Sequence, residues 1–317
     1  MSEACILPHH TEALGHGIYA VDTGFQRPRF DAAYLLVEAG RAAVIDSGTN
    51  FSVPRVLEAL AALGLARSAV DYVIATHVHL DHAGGVGLLM RELPAATLIC
   101  HPRGLRHMVD PSQLWASATA VYGSEEMRRS YGELVPVPAE RARASADEMV
   151  LDLAGRPLRL IDTPGHARHH HCIWDARSRG WFTGDTFGLS YREFDHDGRA
   201  WALPTSTPVQ FDPEAMKASI ARMLAAEPDC LYVTHYGRVT EVPRLAALLN
   251  GLIDRMAALA RQAQAERHER LKTGLLAIYA ESLREHGCAL ADPQIAALLA
   301  MDLELNAQGL AVWLEKG

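Results

Sequence analysis

Short apolar runs that end at Gly, Asp or Pro dominate the first part of the chain. Runs of this length between turn-forming residues are typical of β-strands. Residues 53–63 instead carry apolar side chains at helical spacing, and Gly64 follows where such a helix would end. The pattern therefore predicts one helix among strands at 18–21, 34–37, 42–45 and 72–75.

The pattern changes over residues 103–145, which are rich in Arg and Glu and lack the strand pattern. We interpret this segment as a mostly helical insertion. A second group of strands is predicted afterwards, interrupted by one helix for which Asp212 can serve as N-cap and Pro213 as first residue. These strands are expected at 150–153, 158–161, 172–174, 181–183 and 230–233.

The chain becomes helical from residue 243 onward. Leu245, Leu249, Leu252 and Met256 recur at intervals of three and four residues, which is the spacing of one helix face. We predict a main domain over residues 1–242, with the insertion at about 103–145, and a C-terminal helical appendix over 243–317. The appendix is expected to pack on the main domain or to form the surface of a homodimer.

Composition narrows the class of protein. The 317 residues are 49% hydrophobic and 21% charged, which is ordinary for a globular protein, and the net charge of −8 argues against nucleic-acid binding. Five scattered cysteines form no CxxC pair, so we expect reduced thiols rather than a disulfide framework. Without a signal peptide or a long apolar run, we expect a cytoplasmic protein that acts on a small molecule and binds neither membrane nor nucleic acid.

The segment from Thr76 to His82 carries the most informative chemistry. It places His77, His79, Asp81 and His82 within six positions, directly after an apolar strand. Because side chains alternate along an extended chain, His77 and His79 point to the same side. A polar loop that is rich in His by chance would predict no matching groups elsewhere.

Three further groups follow predicted strands in the same way. His166 lies in the run DTPGH, Asp185 in TGD and His235 in VTH. Strands that each deliver one such residue can direct them all to one edge of a sheet sandwich. Five imidazoles and two carboxylates suit zinc, iron or manganese, and are too rich in nitrogen for calcium or magnesium.

The HxHxDH motif, followed in order by PGH, GD and TH, resembles the metallo-β-lactamase superfamily over residues 16–240. The sequence IDSG at 45–48 matches an early Asp-containing turn of that family. The phrases HPRG at 101–104 and VDP at 109–111 are similar to an uncharacterised archaeal, ST1585-like branch. The resemblance implies an α/β fold, a four-layer αβ/βα sandwich, here with a helical insertion and a C-terminal helical appendix.

The resemblance also implies two divalent metal ions at one edge of the sandwich, with Zn²⁺ favoured and Fe or Mn as alternatives. His77, His79 and His166 would bind the first metal, and Asp81, His82 and His235 the second. Asp185 would bridge both. Such a site uses a metal-bound hydroxide to attack a carbonyl carbon, with Asp81 as the catalytic residue that accepts and returns the proton.

Three residues are candidates beside the metals or on the substrate side. Asp46 is expected to orient a ligand histidine, or alternatively to form a turn. His170 stands where glyoxalase II-type thioesterases have a second histidine, although a plain hydrogen-bonded histidine is an equal alternative. Tyr191 could replace the tyrosine that lactonases of the superfamily carry three residues after the bridging aspartate, a position that is Gly188 here. Aromatic residues could roof an apolar pocket, namely Trp115, Tyr122, Phe187, Tyr191, Phe194 and Trp201, together with Leu189.

The expected function is a binuclear, metal-dependent hydrolase of a small thioester, ester or lactone. One alternative is a mononuclear iron oxygenase of the persulfide dioxygenase type, which would need only part of the ligand set. Another is a non-catalytic ligand sensor that uses the helical appendix. An antibiotic-degrading β-lactamase is disfavoured because no export signal is evident.

Overall fold

The computed structural model describes residues 6–206, 210–263 and 267–316. Two mixed β-sheets form its centre. The first sheet has seven strands in sequential order from β1 to β7, and the second has six in the order β13-β12-β11-β10-β9-β8. The strands are β1 Thr11–Gly15, β2 Ile18–Asp22, β3 Ala32–Glu38, β4 Arg41–Ile45, β5 Val70–Ala75, β6 Thr97–Cys100, β7 Ala142–Ala144, β8 Met149–Leu153, β9 Arg156–Asp162, β10 His171–Asp175, β11 Gly180–Gly184, β12 Cys230–Val233 and β13 Gly237–Val239.

Helices cover the outer faces of both sheets. Helices α1 and α3 pack against the first sheet, whereas α7 to α11 share one apolar core with the outer face of the second. The helices are α1 Val53–Ala62, α2 Leu80–Ala83, α3 Val86–Glu92, α4 Pro102–Val109, α5 Ser112–Tyr122, α6 Ser124–Glu126, α7 Pro213–Leu224, α8 Val242–Gln262, α9 Arg267–His286, α10 Asp292–Leu298 and α11 Ala300–Lys316.

The two-residue period of the strands builds these layers. In β3, Ala33 and Leu35 face the helices on the outside, whereas Tyr34 and Leu36 face the second sheet. Burial on both sides explains why the strand is apolar throughout rather than alternating. The resulting order of helices, sheet, sheet and helices is the four-layer αβ/βα sandwich that the sequence resemblance implied.

The predicted strands are all present, and Asp212 caps α7 by accepting a hydrogen bond from the backbone N–H of Ala215 (3.0 Å). The description of the insertion as lacking strands was incomplete. Its first part is helical, over α4 to α6, but residues 142–144 form β7 and pair in parallel with β6. Strands β1, β6, β7 and β13 were missed, and each lies next to or at the edge of a sheet, where pairing with a neighbouring strand stabilises it.

The appendix packs on the main domain through α8, α9 and α11. Trp201, in the loop after β11, donates a hydrogen bond from Nε1 to Ser282 Oγ of α9 (3.0 Å), and Tyr279 is buried beside it. Among the described residues, no single helix is long and apolar enough to cross a bilayer. The pair α10 and α11 meets the length and composition criteria only when taken together, across a 74° bend.

Candidate metal centre

The candidate site lies where the strands of both sheets end. His77 follows β5, His235 follows β12, and Asp185 directly follows β11. Strands β4 and β5 are parallel, as are β11 and β12, so their carboxyl ends share one edge within each sheet. Packing the two sheets face to face brings these edges together, and the short helix α2 then places Asp81 and His82 beside them.

Four of the predicted ligands form a first cluster. His79 Nδ1 lies 2.7 Å from His77 Nε2 and 3.0 Å from His166 Nε2, and Asp185 Oδ2 lies 3.4 Å from His166 Nε2. The four donor atoms lie within 4.8 Å of one another. Two ligands of a tetrahedral zinc are about 3.3 Å apart, given metal–nitrogen bonds of about 2.0 Å. The spacing in the structure therefore fits one cation.

A second cluster lies on the other side of Asp185. His235 Nε2 is 3.4 Å from Asp81 Oδ2, and His82 Nε2 is 3.8 Å from the same oxygen. Asp185 Oδ1 lies 3.2 Å from His82 Nε2 and 3.7 Å from His235 Nε2. The two oxygens of Asp185 thus face different clusters, which is the placement that a bridging carboxylate requires.

Outer hydrogen bonds fix four of the five imidazoles. The second ring nitrogen, Nδ1, lies 3.2 Å from Thr76 Oγ1 in His77 and 2.9 Å from Asp46 Oδ2 in His82. In His166 and His235 it lies within reach of the backbone carbonyls of Thr205 (3.2 Å) and Phe30 (2.9 Å). A proton held at Nδ1 leaves the lone pair of Nε2 free for a cation, as is typical of metal-binding histidines.

The carboxylates of the centre favour a positive charge beside them. Burial lowers the pKa of His77 and His79 well below the usual value, so these rings are neutral. Burial also acts to lower the pKa of His235, but the carboxylates of Asp185 and Asp81 raise it to about 9. Metal ions compete with such protons for the same nitrogen atoms.

Two buried polar atoms of the centre point to the same conclusion. Asp185 Oδ1 and His82 Nε2 are buried and lie 3.2 Å apart, and beyond this ion pair neither makes a hydrogen bond among the described residues. Buried polar atoms with so few partners are rare and costly. Both atoms face the second cluster, so the donor set fits a cation there as well as in the first cluster.

Asp46 occupies the orienting position that the sequence suggested. Its Oδ2 lies 2.9 Å from His82 Nδ1 and accepts hydrogen bonds from the hydroxyls of Thr76 (2.9 Å) and Thr234 (3.1 Å), while Oδ1 accepts from the Thr76 backbone N–H (2.8 Å). Its backbone has a φ of 56°, in the left-handed region, directly after β4. One carboxylate thereby ties together the ends of β4, β5 and β12.

Asp46→Asn is expected to weaken metal affinity or activity about 10- to 100-fold while the fold is retained. Asparagine tolerates the left-handed backbone of this position, but its NH₂ group would face a donor where the carboxylate accepts. Competition with a chromophoric chelator would measure the affinity. Asp152→Asn, a surface aspartate outside the centre, is the control. Unchanged affinity in Asp46→Asn would show that His82 needs no orienting partner.

His170 and Tyr191 lie on different sides of the centre. His170 is fully buried behind Asp185, where its Nε2 accepts a hydrogen bond from the Asp185 backbone N–H (3.2 Å) and its Nδ1 lies near the Thr163 and Thr186 hydroxyls. It does not reach the cavity, so it supports Asp185 rather than touching a substrate. Tyr191 does line the cavity, beside His235, with 6.3 Å between ring centroids.

A cavity of about 380 Å³ opens onto both clusters. Its lining includes His79, Asp81, His166, Asp185 and His235. The remainder is mainly apolar and comes from distant parts of the chain, with the side chains of Phe25, Phe30, Leu114, Ala118, Tyr131, Leu189, Tyr191, Met301 and Leu305.

The predicted aromatic roof was wrong in most of its members. Leu189 and Tyr191 line the cavity, whereas Phe187, Phe194 and Trp201 are buried in the core and Trp115 packs against that core. The side chain of Tyr122 lies outside the described residues. Sequence reasoning missed Phe25, Phe30 and the residues of α11, because no local pattern signals that they face the centre.

The fold and the paired clusters define a sheet sandwich that carries a candidate His/Asp metal-binding site at one edge. The sequence profile of the metallo-beta-lactamase superfamily matches residues 27–235. The chain therefore belongs to the metallo-β-lactamase superfamily.

Individual relatives agree with this membership. ST1585 of Sulfurisphaera tokodaii, a metallo-beta-lactamase fold-containing protein, is 25% identical over 234 residues, which cover 71% of this chain and 80% of the relative. Its solved structure superimposes with a TM-score of 0.59 at 22% identity, covering 86% of this chain and 99% of the other. TTHA1429 of Thermus thermophilus, a metallo-beta-lactamase family protein, gives a TM-score of 0.65 at 20% identity, covering 96% and 95%. Such identities show the fold alone.

A relative with a named activity covers less of the chain. The acyl-coenzyme A thioesterase MBLAC2 of Gallus gallus is 28% identical over 181 residues, which span 54% of this chain and 63% of the relative.

Proposed function

We propose that the protein is a binuclear, metal-dependent hydrolase of a small thioester, ester or lactone. The observation that carries the proposal is Asp185, whose two carboxylate oxygens face two separate histidine clusters at the base of an apolar cavity. The name of the chicken relative, an acyl-coenzyme A thioesterase, supports the thioester class.

Each metal ion would have its own set of ligands, and Asp185 would be shared. His77, His79 and His166 would hold one ion and Asp81, His82 and His235 the other, with Asp185 between them. The imidazole-rich donor set favours zinc. Divalent cations at such a site lower the pKa of a bound water to about 7 and offset the negative charge that develops on a carbonyl oxygen.

Asp81 is the residue placed to move a proton. Burial acts to raise its pKa, but His82 and His235 lower it to about 2, so the group is a carboxylate at neutral pH. Its side chain is 26% exposed and lines the cavity, whereas Asp185 is only 7% exposed. A carboxylate open to the cavity can accept a proton from the attacking water and return it to the leaving group.

The test combines metal analysis with a substrate panel. We expect about two zinc ions per chain in protein purified without chelators, together with hydrolysis of a thioester, an ester or a lactone that is lost on dialysis against a chelator and restored by zinc. One iron per chain with oxygen uptake on a persulfide would support the oxygenase alternative instead. Two bound metals without turnover of any ester, thioester or lactone would contradict the hydrolase assignment.

A further inference from the structure

One carboxyl group in the cavity plays no part in the metal centre. Asp302 lies in α11, lines the cavity and is 7% exposed. Its Oδ1 accepts a hydrogen bond from the Tyr191 hydroxyl (3.1 Å). Its Oδ2 is buried and has no hydrogen-bond partner among the described residues. An acceptor with this degree of burial and no donor is costly to the folded protein and is therefore unusual.

Asp302 is held in place by the turns of α11 that follow it. Asn306, four residues further on and on the same face, accepts a hydrogen bond from the Ser206 backbone N–H (2.6 Å) and donates to the Pro204 carbonyl (3.2 Å). At Gly309, a Cβ atom would lie 2.7 Å from the Ser206 carbonyl oxygen, so the helix and the loop are in backbone contact. The carboxyl group is thus presented by a fixed helix and not by a mobile tail.

Among the described residues no cationic side chain is bonded to Asp302, although the charges of His235 and Arg27 act on it from a distance. Arg27 lies over the Tyr191 ring, with 4.6 Å to the ring centroid, but its Nε donates to Glu193 (2.8 Å). No ion pair or hydrogen bond joins Arg27 to Asp302 within the part of the chain that is described. Burial raises the pKa of Asp302 to about 6, so the group is mainly a carboxylate at neutral pH. It therefore acts as an acceptor.

Tyr191 sets the distance between Asp302 and the metal centre. One end of its side chain bonds Asp302, and its ring contacts the ring of His235 in an edge-on arrangement. Phe30 stacks on the Tyr191 ring, with 5.1 Å between the ring centroids. The two rings form an apolar wall between Asp302 and the metal centre. A substrate whose carbonyl carbon lies at the metals would therefore pass along an apolar wall before it reaches Asp302.

We propose that Asp302, together with Tyr191, forms a specificity subsite for a hydrogen-bond-donating group, a hydroxyl or an ammonium, on the acyl portion of the substrate. The subsite rests on the proposed hydrolase function and narrows its substrate class to acyl groups that are apolar near the carbonyl and carry a donor further along. Unpaired polar groups in a binding site reject analogues that lack the matching group, which gives such a subsite strong discrimination.

The test uses matched N-acetylcysteamine thioesters with acyl chains of four to eight carbons, each ending in a methyl, a hydroxymethyl or an aminomethyl group. We expect kcat/KM to favour one donor-bearing series over the methyl series by about 100-fold at the optimal length. The preferred series identifies the donor as neutral or cationic. Equal kcat/KM for all three series would overturn the subsite while leaving the hydrolase function intact.

Variants of Asp302 test whether this residue causes the preference for donor-bearing acyl chains. Asp302→Asn retains an acceptor for the Tyr191 hydroxyl but loses the charge, and Asp302→Leu removes both. We expect the preference for the donor series to fall with either variant, to near unity in Asp302→Leu. Asp292→Asn, the same change on an exposed aspartate of α10, should leave the preference unchanged. A preference that survives in Asp302→Leu would overturn the proposal.

A binding measurement separates this proposal from the hydrolase assignment. Alkyl hydroxamates with and without a terminal hydroxyl or ammonium group bind a metal centre without being turned over. If no thioester is hydrolysed, tighter binding of the donor-bearing hydroxamate to the wild type, but not to Asp302→Asn, still supports the subsite. If the wild type binds the hydroxamates with and without the donor group equally tightly, the subsite is overturned.

Discussion

Asp185→Ala is expected to lose bound metal and nearly all hydrolytic activity while the fold is retained. Asp185 supplies one oxygen to each cluster, so its removal leaves three donors on either side and nothing between them. We expect the metal content to fall from two ions per chain to one or fewer, and kcat/KM to fall by at least about 1000-fold. Elemental analysis and steady-state kinetics on the same sample would measure both.

The control for this variant is Asp197→Ala, which removes an aspartate whose side chain is 84% exposed in the loop after β11. It should change neither metal content nor activity. Far-UV circular dichroism of Asp185→Ala would establish that the sheets are intact. Two metals and wild-type turnover in Asp185→Ala would refute a bridged centre.

Arg156→Ala is expected to destabilise the protein strongly, although Arg156 lies away from the centre. Arg156 is 1% exposed, and its guanidinium donates to both oxygens of Asp175 (2.8 and 2.6 Å) and to the His16 carbonyl (2.7 Å). Its removal leaves the Asp175 carboxylate buried without its cation, which costs about 3–5 kcal/mol. Urea denaturation would measure the free energy of unfolding.

Two comparisons separate the buried pair from ordinary ion pairs. Arg129→Ala removes an exposed bridge to Glu126 and should cost no more than about 1 kcal/mol. The double variant Arg156→Leu with Asp175→Leu should regain most of the loss, because neither charge is then left alone. A single variant as stable as the wild type would show that Arg156 contributes no net stability.

The same ion pair predicts a direction for the pH dependence. Burial acts to raise the pKa of Asp175, but the bonds from Arg156 and Ser178 lower it below its usual value. The unfolded chain titrates near the ordinary value of about 3.9. The contribution of the pair is therefore complete above that pH and is lost as the pH falls through the lower pKa of the folded state. Arg156→Ala should show less acid dependence of stability than the wild type.

The order of elements could be predicted from the sequence because each signal is local. The continuous apolar run of β3 and the cap at Asp212 are set by residues close in the chain. Three of the four edge strands, β1, β7 and β13, escaped prediction, since an edge strand depends on pairing with its neighbour. For example, β7 has only three residues and forms against β6.

The metal centre was predictable for a related reason. Each ligand lies at or near the end of a local apolar run, as His77 does after β5 and His235 after β12, so the type of residue and its place on a strand are written in the sequence. The proximity of the seven side chains was an inference from the order of motifs, and the structure brings them into two adjoining clusters. Their role in binding metal remains a prediction.

By itself, the sequence determined which residues end the strands, which segments are apolar enough to form them, and which side chains could serve as metal ligands. Only the tertiary structure decided which residues surround the space above those ligands. Phe30, Tyr131 and Asp302 come from three distant parts of the chain and meet at one cavity. Asp302 reaches the cavity because α11 packs against the loop at 203–206, a contact between distant segments that no local periodicity encodes.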